Sequence, residues 1–256
     1  MSLKIENLSF GYNNNKILDD ISFEVKSGDF VCVLGKNGVG KSTLFKLLLG
    51  FLHKHKGNIL IDEKPLERFT RKQLAREIAY IPQYTTSSFN YSVFDTVLMG
   101  TTCHLETLAS PKDREKQIAH EALKKFDIEH LAHKNSSTIS GGERQLVILA
   151  RAIAQGSKIL ILDEPTANLD YGNQFRVMKT ISSLKEQGYS IILSTHNPEQ
   201  AMWFSDKIMF LDNKKILAYG ETQQVITQDI LRQIYSIDID LIEKDGRKLC
   251  FPKVDF

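Results

Sequence analysis

The chain has 256 residues, of which 42% are hydrophobic and 25% are charged. This composition is typical of a folded globular protein and argues against a disordered or fibrous chain. The 33 basic residues nearly balance the 31 acidic ones, so bulk electrostatics gives no indication of nucleic-acid binding. The cysteines at positions 32, 103 and 250 fit neither a disulfide framework nor a CxxC metal site, which favours a reducing compartment.

Neither the first residues nor the apolar runs predict insertion into a membrane. The segment Met1 to Glu6 contains no apolar run, so we expect no signal peptide. The longest apolar runs, such as Ile159 to Leu162, are far shorter than the ~20 residues that cross a bilayer. We therefore expect a cytoplasmic protein whose membrane role, if any, comes through a partner.

Short apolar runs alternate with helical patterns, which predicts an α/β fold with a largely parallel sheet. The strands predicted in the first third are Leu3–Phe10, Ile21–Val25, Phe30–Leu34, Gly57–Ile61 and Ile78–Ile81. The turn residues Ser27-Gly28-Asp29 separate the second strand from the third. They predict an antiparallel hairpin in this N-terminal part.

The strand signal disappears at about residues 85–155, and we expect a helical subdomain inserted there. Its predicted helices are Ser92–Met99, Lys112–Phe126 and Gly141–Ala154. Strands are then expected at Lys158–Leu162, Ser190–Ser194 and Lys207–Leu211, with a helix over about Gln174–Glu186. The chain beyond Thr222 predicts one short helix and two weak strands, Ile237–Ile242 and Lys248–Phe251.

The strongest motif is Gly35-Lys36-Asn37-Gly38-Val39-Gly40-Lys41-Ser42, the pattern of a phosphate-binding loop. It lies between a predicted strand and a predicted helix, a context that disfavours an ordinary glycine-rich turn. Glycines let successive backbone N–H groups turn toward one anion, and the helix dipole adds positive potential. Lys41 can reach the β- and γ-phosphates, and the Ser42 hydroxyl can ligate Mg²⁺. The predicted nucleotide-binding residues of this loop are Gly35, Asn37, Gly38, Gly40, Lys41, Ser42 and Thr43.

An acidic pair, Asp163-Glu164, follows the apolar run Ile159 to Leu162. Four apolar residues in a row predict a strand covered on both faces. We expect Asp163 to hold Mg²⁺ through water and Glu164 to polarise the attacking water. The alternative, an acidic pair that merely ends a strand, is disfavoured by the phosphate loop.

A third motif, Ser140-Gly141-Gly142-Glu143-Arg144-Gln145, precedes a predicted helix. Ser140 and Glu143 have the spacing of a capping box. Each glycine weakens a helix start by up to ~1 kcal/mol, but it leaves the backbone N–H groups bare so that a phosphate can come close. This hexapeptide, with the two motifs above and in their order, resembles the signature of the ATP-binding cassette (ABC) ATPases.

The resemblance implies a P-loop NTPase (RecA-like) core with an N-terminal antiparallel β portion and an inserted helical subdomain. It covers about residues 1–225 as one cassette and leaves 226–256 as a short C-terminal extension. Two departures, Ile139 where the family often has leucine and Glu143 where it often has glutamine, remove no phosphate contact.

The resemblance also implies ATP and Mg²⁺ as ligands. Tyr12 looks like the aromatic residue that stacks on adenine, and His196 like the switch histidine that contacts the γ-phosphate. Taken alone, they would be a turn tyrosine and a structural histidine. Gln83 resembles the glutamine that links the metal site to the helical insertion. The implied catalytic residues are Glu164, His196 and Gln83, and the implied metal ligands are Ser42, Gln83 and Asp163.

Partners follow from the family as well. Two cassettes pair head to tail, so each ATP lies between the phosphate loop of one chain and Ser140, Gly141 and Gly142 of the other. Ala167-Asn168-Leu169-Asp170 resembles the loop that communicates between subunits, and Asp170 is expected near the nucleotide. A polytopic membrane permease, and indirectly a substrate-binding protein, complete the implied assembly at the cytoplasmic face of the membrane, with no nucleic acid.

Shorter segments resemble the branch that serves metal-chelate importers. They are residues 94–100, 140–146 and 167–174, with 234–238 in the tail. Iron-siderophore complexes lead among the expected substrates, and cobalamin, haem or molybdate follow. A non-transport cassette ATPase is disfavoured by the single phosphate loop and by the absence of sustained heptads. A GTPase is disfavoured because Asn213-Lys214-Lys215-Ile216 lacks the final aspartate of a guanine-reading motif.

Overall fold

The computed structural model describes residues 1–13, 15–83, 90–106, 109–244 and 247–253, without the side chain of residue 247. It comprises two compact units. The first unit combines Met1–Arg68 with Lys185–Phe256, and the second is Phe69–Leu184. The cassette predicted over residues 1–225, its insertion at 85–155 and the extension at 226–256 stay predictions.

Twelve strands and nine α-helices lie in the described ranges. In chain order they are β1 Leu3–Tyr12, β2 Asn15–Val25, β3 Phe30–Leu34, α1 Lys41–Leu48, β4 Lys56–Ile61, β5 Lys64–Pro65, α2 Arg71–Glu77, β6 Ile78–Ile81, α3 Val93–Leu98, α4 Asp113–Lys125, α5 Gly141–Ala154, β7 Ile159–Asp163, α6 Tyr171–Lys185, β8 Ser190–Ser194, α7 Pro198–Phe204, β9 Lys207–Asp212, β10 Lys215–Glu221, α8 Thr222–Val225, α9 Gln228–Tyr235, β11 Ile239–Lys244 and β12 Arg247–Pro252. Short 3₁₀ turns occupy Leu66–Arg68, Met99–His104 and Glu129–Leu131.

The first unit contains the antiparallel portion that the sequence predicts, with strand order β2-β1-β4-β5. The expected hairpin around Ser27-Gly28-Asp29 is wrong, however. β2 pairs antiparallel with β1 across the turn at Asn13, whereas β3 pairs with β8 and β9. The burial patterns give the reason: the second half of β2 alternates between buried and exposed positions, while β3 is buried at every position. The turn at Gly28 therefore joins strands of two different sheets.

Four strands of the first unit, in the order β10-β9-β3-β8, form its largely parallel portion. β3 runs parallel to β8 and β9, and β10 returns antiparallel to β9. All residues of β3 and β8 are buried, as expected for strands covered on both faces. Because β3, β8 and β9 are parallel, their carboxyl ends share one edge, where ligands bind in open α/β sheets.

The second unit contains the parallel pair β6 and β7 and the helices of the predicted insertion. The bounds of α5 match the prediction, and α3 is one residue shorter than expected at each end, because Ser92 is its N-cap and a 3₁₀ turn begins at Met99. Helix α2 has no counterpart in the prediction. Its signal is a capping box, in which the Thr70 side chain accepts from the Gln73 N–H at 3.2 Å and Gln73 accepts from the Thr70 N–H.

The C-terminal residues form the short helix α9 and an antiparallel hairpin of β11 and β12. Both weak strand predictions are therefore confirmed, although β11 begins two residues later than expected. Strand β10 has no counterpart in the prediction, because its burial pattern is mixed and no residue in it is fully buried.

The packing around β3 generates a prediction about stability. Phe30 is fully buried, whereas Phe51 is 67% exposed. Phe30→Ala should lower the free energy of unfolding by about 3–5 kcal/mol, because it removes buried ring contacts and leaves a cavity. Chemical denaturation of the two variants measures the difference. The control Phe51→Ala should change stability little, and equal losses would contradict the assignment of β3 to the core.

Candidate functional site

The predicted phosphate loop lies at the carboxyl end of β3 in the first unit. The chain turns after Leu34 and enters α1 at Lys41, as the motif requires. Two glycines have positive φ, +78° at Gly38 and +115° at Gly40, a region that L-residues with a Cβ seldom adopt. The loop conformation therefore depends on these glycines.

Gly35 is required by space rather than by conformation. A Cβ at this position would lie 2.4 Å from the carbonyl oxygen of Leu211, in β9. The start of the loop is thus pressed against the neighbouring parallel strand. Any side chain at position 35 would push the loop off that strand.

The Lys41 side chain is buried at 6% exposure and bends back over its own loop. Its ammonium donates to the carbonyl oxygen of Gly35 at 2.6 Å and to that of Lys36 at 3.3 Å. A buried cation needs such compensation. Ser42 is exposed and Thr43 half-buried at the start of α1, and Asn37 is exposed in the loop. The hydroxyls are thus accessible beside a helix N-terminus.

Tyr12 and His196 lie in the same unit as the loop. Tyr12 ends β1, is 44% exposed, and packs edge to face on Phe10 with ring centroids 4.9 Å apart. His196 is exposed two residues after β8. The preceding residue, Thr195, is bound to β3, because its N–H donates to the Val33 carbonyl oxygen at 3.3 Å. His196 therefore follows the carboxyl end of a strand adjacent to β3.

Asp163 ends β7 in the second unit and is buried at 4% exposure. Sequence reasoning missed its neighbour Tyr80, in the parallel strand β6. Burial raises the pKa of Tyr80 to about 12, and the negative charge of Asp163, which accepts a hydrogen bond from the tyrosine, adds to the rise. The phenol therefore keeps its proton and orients the carboxylate. No local signal in the sequence marks this contact, which depends on the strand register that pairs Tyr80 with Ile161.

Glu164 is half-buried directly after β7 and has a φ of +46°. Its carboxylate accepts a hydrogen bond from the Gln83 side-chain amide, with Nε2 and Oε2 2.9 Å apart. The structure thus brings together two of the three predicted catalytic residues. A left-handed backbone at a glutamate costs energy, and it directs this side chain away from the line of the strand.

The glycine motif begins α5 with the expected capping box. The Ser140 hydroxyl accepts from the Glu143 N–H at 3.3 Å and donates to its carboxylate at 2.7 Å, and the Ser140 N–H donates to the same carboxylate at 2.8 Å. These bonds lower the pKa of Glu143. Ser140 and Gly141 are exposed and Gly142 is buried, so the first N–H groups of the helix face a surface.

The glycines of this motif have a second role that the sequence did not indicate. A Cβ at Gly142 would lie 2.8 Å from the Asn173 side-chain oxygen, and one at Gly141 would lie 3.2 Å from Leu169. Asn173 in turn donates to Asp170 twice, from its backbone N–H at 2.9 Å and from its amide at 2.6 Å. These bonds lower the pKa of Asp170. The predicted communicating loop and the glycine motif therefore contact each other directly.

No helix in the described part of the chain is long and apolar enough to span a membrane. Comparison with known proteins identifies similar chains. Residues 18–167 match the family model described as ABC transporter. The molybdate import ATP-binding protein MolC of Haemophilus influenzae is 37% identical over 92% of this chain and 88% of its own. A protein of Helicobacter pylori named a probable iron chelatin transport ATP-binding protein is 35% identical over 98% and 99%.

A solved structure is similar over almost the whole chain. It is described as an inward-facing conformation of a metal-chelate type ABC transporter. The match has a TM-score of 0.88 at 33% identity and covers 99% of this chain and 97% of that one. The fold, including the residues after 225, thus has a counterpart in that protein.

Gly38 offers a direct test of the phosphate loop, because Gly188 provides a matched control. The two glycines have φ of +78° and +81°, and a Cβ added to either would meet no atom within 4 Å. Alanine at either position should cost about 1–2 kcal/mol of backbone strain. Gly38→Ala should also weaken ATP binding by about tenfold or more, an amount equal to ~1.4 kcal/mol of misdirected N–H contacts.

Isothermal titration with ATP and chemical denaturation measure the two effects. Gly188→Ala should lose similar stability and keep its affinity for ATP. Unchanged affinity in Gly38→Ala would contradict the placement of the phosphate site.

Proposed function

Since the chain belongs to the family of ABC transporter ATP-binding proteins, which hydrolyse ATP, we propose that it powers a bacterial importer of a metal chelate, with iron-siderophore complexes as the leading substrate class. The observation that carries the substrate class is the likeness to the metal-chelate type transporter along nearly the full chain. The iron chelatin relative supports the same class.

Molybdate import is a second candidate, favoured by the likeness to MolC. A cassette does not contact the transported molecule, so its site cannot distinguish a chelate from an oxyanion. The permease and the binding protein hold that information. A non-transport role has less support, because the relatives named above are transport proteins.

The phosphate loop supports binding of the ATP phosphates. Lys41 already points its ammonium into the loop, where two carbonyl oxygens hold it. We infer that this charge pairs with the β- and γ-phosphates. Tyr12 presents an exposed ring for stacking on adenine, supported from behind by Phe10. His196 is assigned to the γ-phosphate.

Each of the three residues proposed as Mg²⁺ ligands carries an oxygen donor of a type that the ion accepts. Ser42 offers a hydroxyl, Gln83 an amide oxygen and Asp163 a carboxylate, and Mg²⁺ prefers such oxygen donors. Among the described residues no group of three or more His, Cys, Asp or Glu side chains could hold a metal. Mg²⁺ is commonly bound through few side chains and the phosphates of a substrate. When bound, Mg²⁺ would neutralise charge on the phosphate oxygens.

Glu164 is the proposed general base for the attacking water. The amide of Gln83 fixes the orientation of its carboxylate, and Asp163 is held separately by Tyr80. The two carboxylates thus have different partners, which supports separate roles for them. A positioned base of this kind contributes typically 10²–10⁴-fold to a rate.

We further propose that two copies pair head to tail, with the exposed start of α5 at Ser140 and Gly141 facing the γ-phosphate bound by the other copy. Helix N-termini bind anions through their first backbone N–H groups. The pair would work with a polytopic permease, and through it with a substrate-binding protein, at the cytoplasmic face of the membrane. Nucleic acid has no place in this assembly.

Glu164→Gln tests the base and the dimer together. The substitution keeps size and hydrogen bonding but removes the basic carboxylate, so turnover should fall by about 10²–10⁴-fold. ATP binding should survive, because Lys41 and the loop are unchanged. ATP should then hold two copies together, and size-exclusion chromatography should show a dimer with ATP and a monomer with ADP.

Two further variants serve as controls. Glu186→Gln changes an exposed glutamate remote in sequence from the motifs and should hydrolyse ATP normally. Ser140→Arg added to Glu164→Gln should dissolve the dimer, because a bulky cation would occupy the place of the γ-phosphate. Normal hydrolysis by Glu164→Gln would remove Glu164 from its role, and a dimer that persists with Ser140→Arg would contradict the shared site.

Deleting the gene tests the substrate class. A deletion strain should lose uptake of radiolabelled iron-siderophore complexes and growth on them as sole iron source, because the permease would lack its ATPase. Complementation with the native chain should restore both, whereas Lys41→Ala should not, since it removes the charge that pairs with the phosphates.

The other outcomes are equally specific. Loss of molybdate uptake with intact iron uptake would replace the leading class by the second candidate. Normal uptake of iron chelates, haem, cobalamin and molybdate, with no membrane protein co-purifying with the chain, would contradict a transport function.

A further inference from the structure

The C-terminal residues contact three loops at the carboxyl edge of β3, β8 and β9. The Lys36 ammonium donates to the Ser236 hydroxyl at 2.8 Å, and the Tyr235 hydroxyl donates to the carbonyl oxygen of His196 at 3.0 Å. The Gln233 amide donates to the Asp212 carboxylate at 3.1 Å. The last turn of α9 thus bridges the phosphate loop, the histidine segment and the end of β9 within one unit.

Apolar anchors hold α9 firmly enough to act as such a bridge. Leu231 and Ile234 are fully buried, and Thr227 caps the helix by accepting from the Ile230 N–H at 3.3 Å. The helix ends at Ser236 in the left-handed conformation, with φ of +59°. Its final turn is therefore fixed by packing on one face and by a defined C-terminal stop.

The β11–β12 hairpin attaches to the helix that follows His196. The Trp203 indole N–H, in α7, donates to the Lys248 carbonyl oxygen at 3.1 Å. The Lys248 ammonium donates to the Gln223 carbonyl oxygen at 2.8 Å. Because α7 begins at Pro198, two residues after His196, the tail holds this segment from its helical side as well.

The Tyr235 hydroxyl is a permanent donor under ordinary conditions. Burial raises the pKa of Tyr235 well above its usual value, and the neighbouring Cys250 adds to the rise. The proton is therefore retained, and the bond to the His196 carbonyl oxygen persists across the pH range in which ATPases work. Removing this hydroxyl would remove the bond from Tyr235 to the His196 carbonyl oxygen.

We propose that Tyr235 and Ser236 are positioning residues that hold His196 and the phosphate loop in one fixed arrangement for hydrolysis. The proposal rests on the proposed role of His196 at the γ-phosphate. Nucleotide binding depends on the loop itself, through Lys41 and the backbone N–H groups. Loss of the bridge should therefore slow turnover and leave binding intact, a split that general destabilisation would not produce.

Tyr219 provides a matched control for Tyr235. Its hydroxyl also donates to a backbone carbonyl oxygen, that of Glu24, and burial raises its pKa in the same way. Tyr219→Phe and Tyr235→Phe each remove one hydroxyl and one tyrosine-to-carbonyl bond. Only the second removes a contact to the candidate site.

The experiment compares steady-state ATP hydrolysis by the full-length variants. Tyr235→Phe should lower kcat by about tenfold, less than the ~10²-fold that a 1 Å misplacement can cost, with KM for ATP and the affinity for ADP unchanged. Tyr219→Phe should keep the native kcat. Both should lose similar stability in chemical denaturation, so a difference in kcat cannot come from unfolding.

Ser236→Gly separates positioning from stability, because its expected changes in stability and in kcat differ in direction. Glycine relieves the left-handed backbone, so stability should hold or rise, yet kcat should fall because the bond to Lys36 is lost. The inference is overturned if Tyr235→Phe and Ser236→Gly both match Tyr219→Phe in kcat. His196→Ala distinguishes the two proposals. Normal hydrolysis by His196→Ala overturns the role of the histidine. If His196→Ala loses hydrolysis while Tyr235→Phe keeps the native kcat, only the bridge is overturned.

Discussion

The burial of β3 on both faces is the constraint on which the rest of the site depends. All its side chains lie in the core, so a shift of register against β8 and β9 would force side chains of different size into each other's packed positions. A shift of one residue would exchange its two faces. The chain therefore leaves the sheet at Gly35 at a fixed position along the neighbouring strands, and the phosphate loop begins there. The contact of Gly35 with the Leu211 carbonyl oxygen is a direct result.

The buried ammonium of Lys41 follows from the same geometry. Transferring a cation from water to the protein costs free energy unless hydrogen bonds replace its hydration. Two carbonyl oxygens of the loop supply them. These two bonds hold the side chain in one position over the loop. Preorganisation of this kind reduces the entropic cost of binding.

Much of the fold is predictable because it depends on continuous apolar runs. The bounds of β3, β6 and β8 match the prediction, since each is a short run that is mostly or wholly buried. The predicted hairpin at Gly28 is wrong because a turn signal states where a chain reverses and not which strand becomes the partner. The strand β10 and the helix α2 escape prediction because their burial is partial, so no periodic apolar pattern marks them.

The residues of the candidate site likewise divide into those that a local sequence pattern predicts and those that it does not. Residues that lie in contiguous motifs, such as Lys41 and Ser140, are identifiable because their spacing carries the chemistry. Their supporting neighbours are not. Tyr80, Asn173 and Tyr235 contact site residues only after strands pair and the tail packs, and nothing local in the sequence predicts those contacts. Tertiary placement, rather than local pattern, assigns such roles.

The close approach of Asn173 to Gly142 has a consequence for how sequences of this kind can change. The two positions are well separated in the chain, yet a Cβ at one would collide with the side chain of the other. A larger residue at position 142 therefore requires the Asn173 side chain to move or to be smaller, and either change would disturb its bond to the Asp170 carboxylate. Three positions are thereby tied together, and drift at any one of them is restricted by compensation at the others.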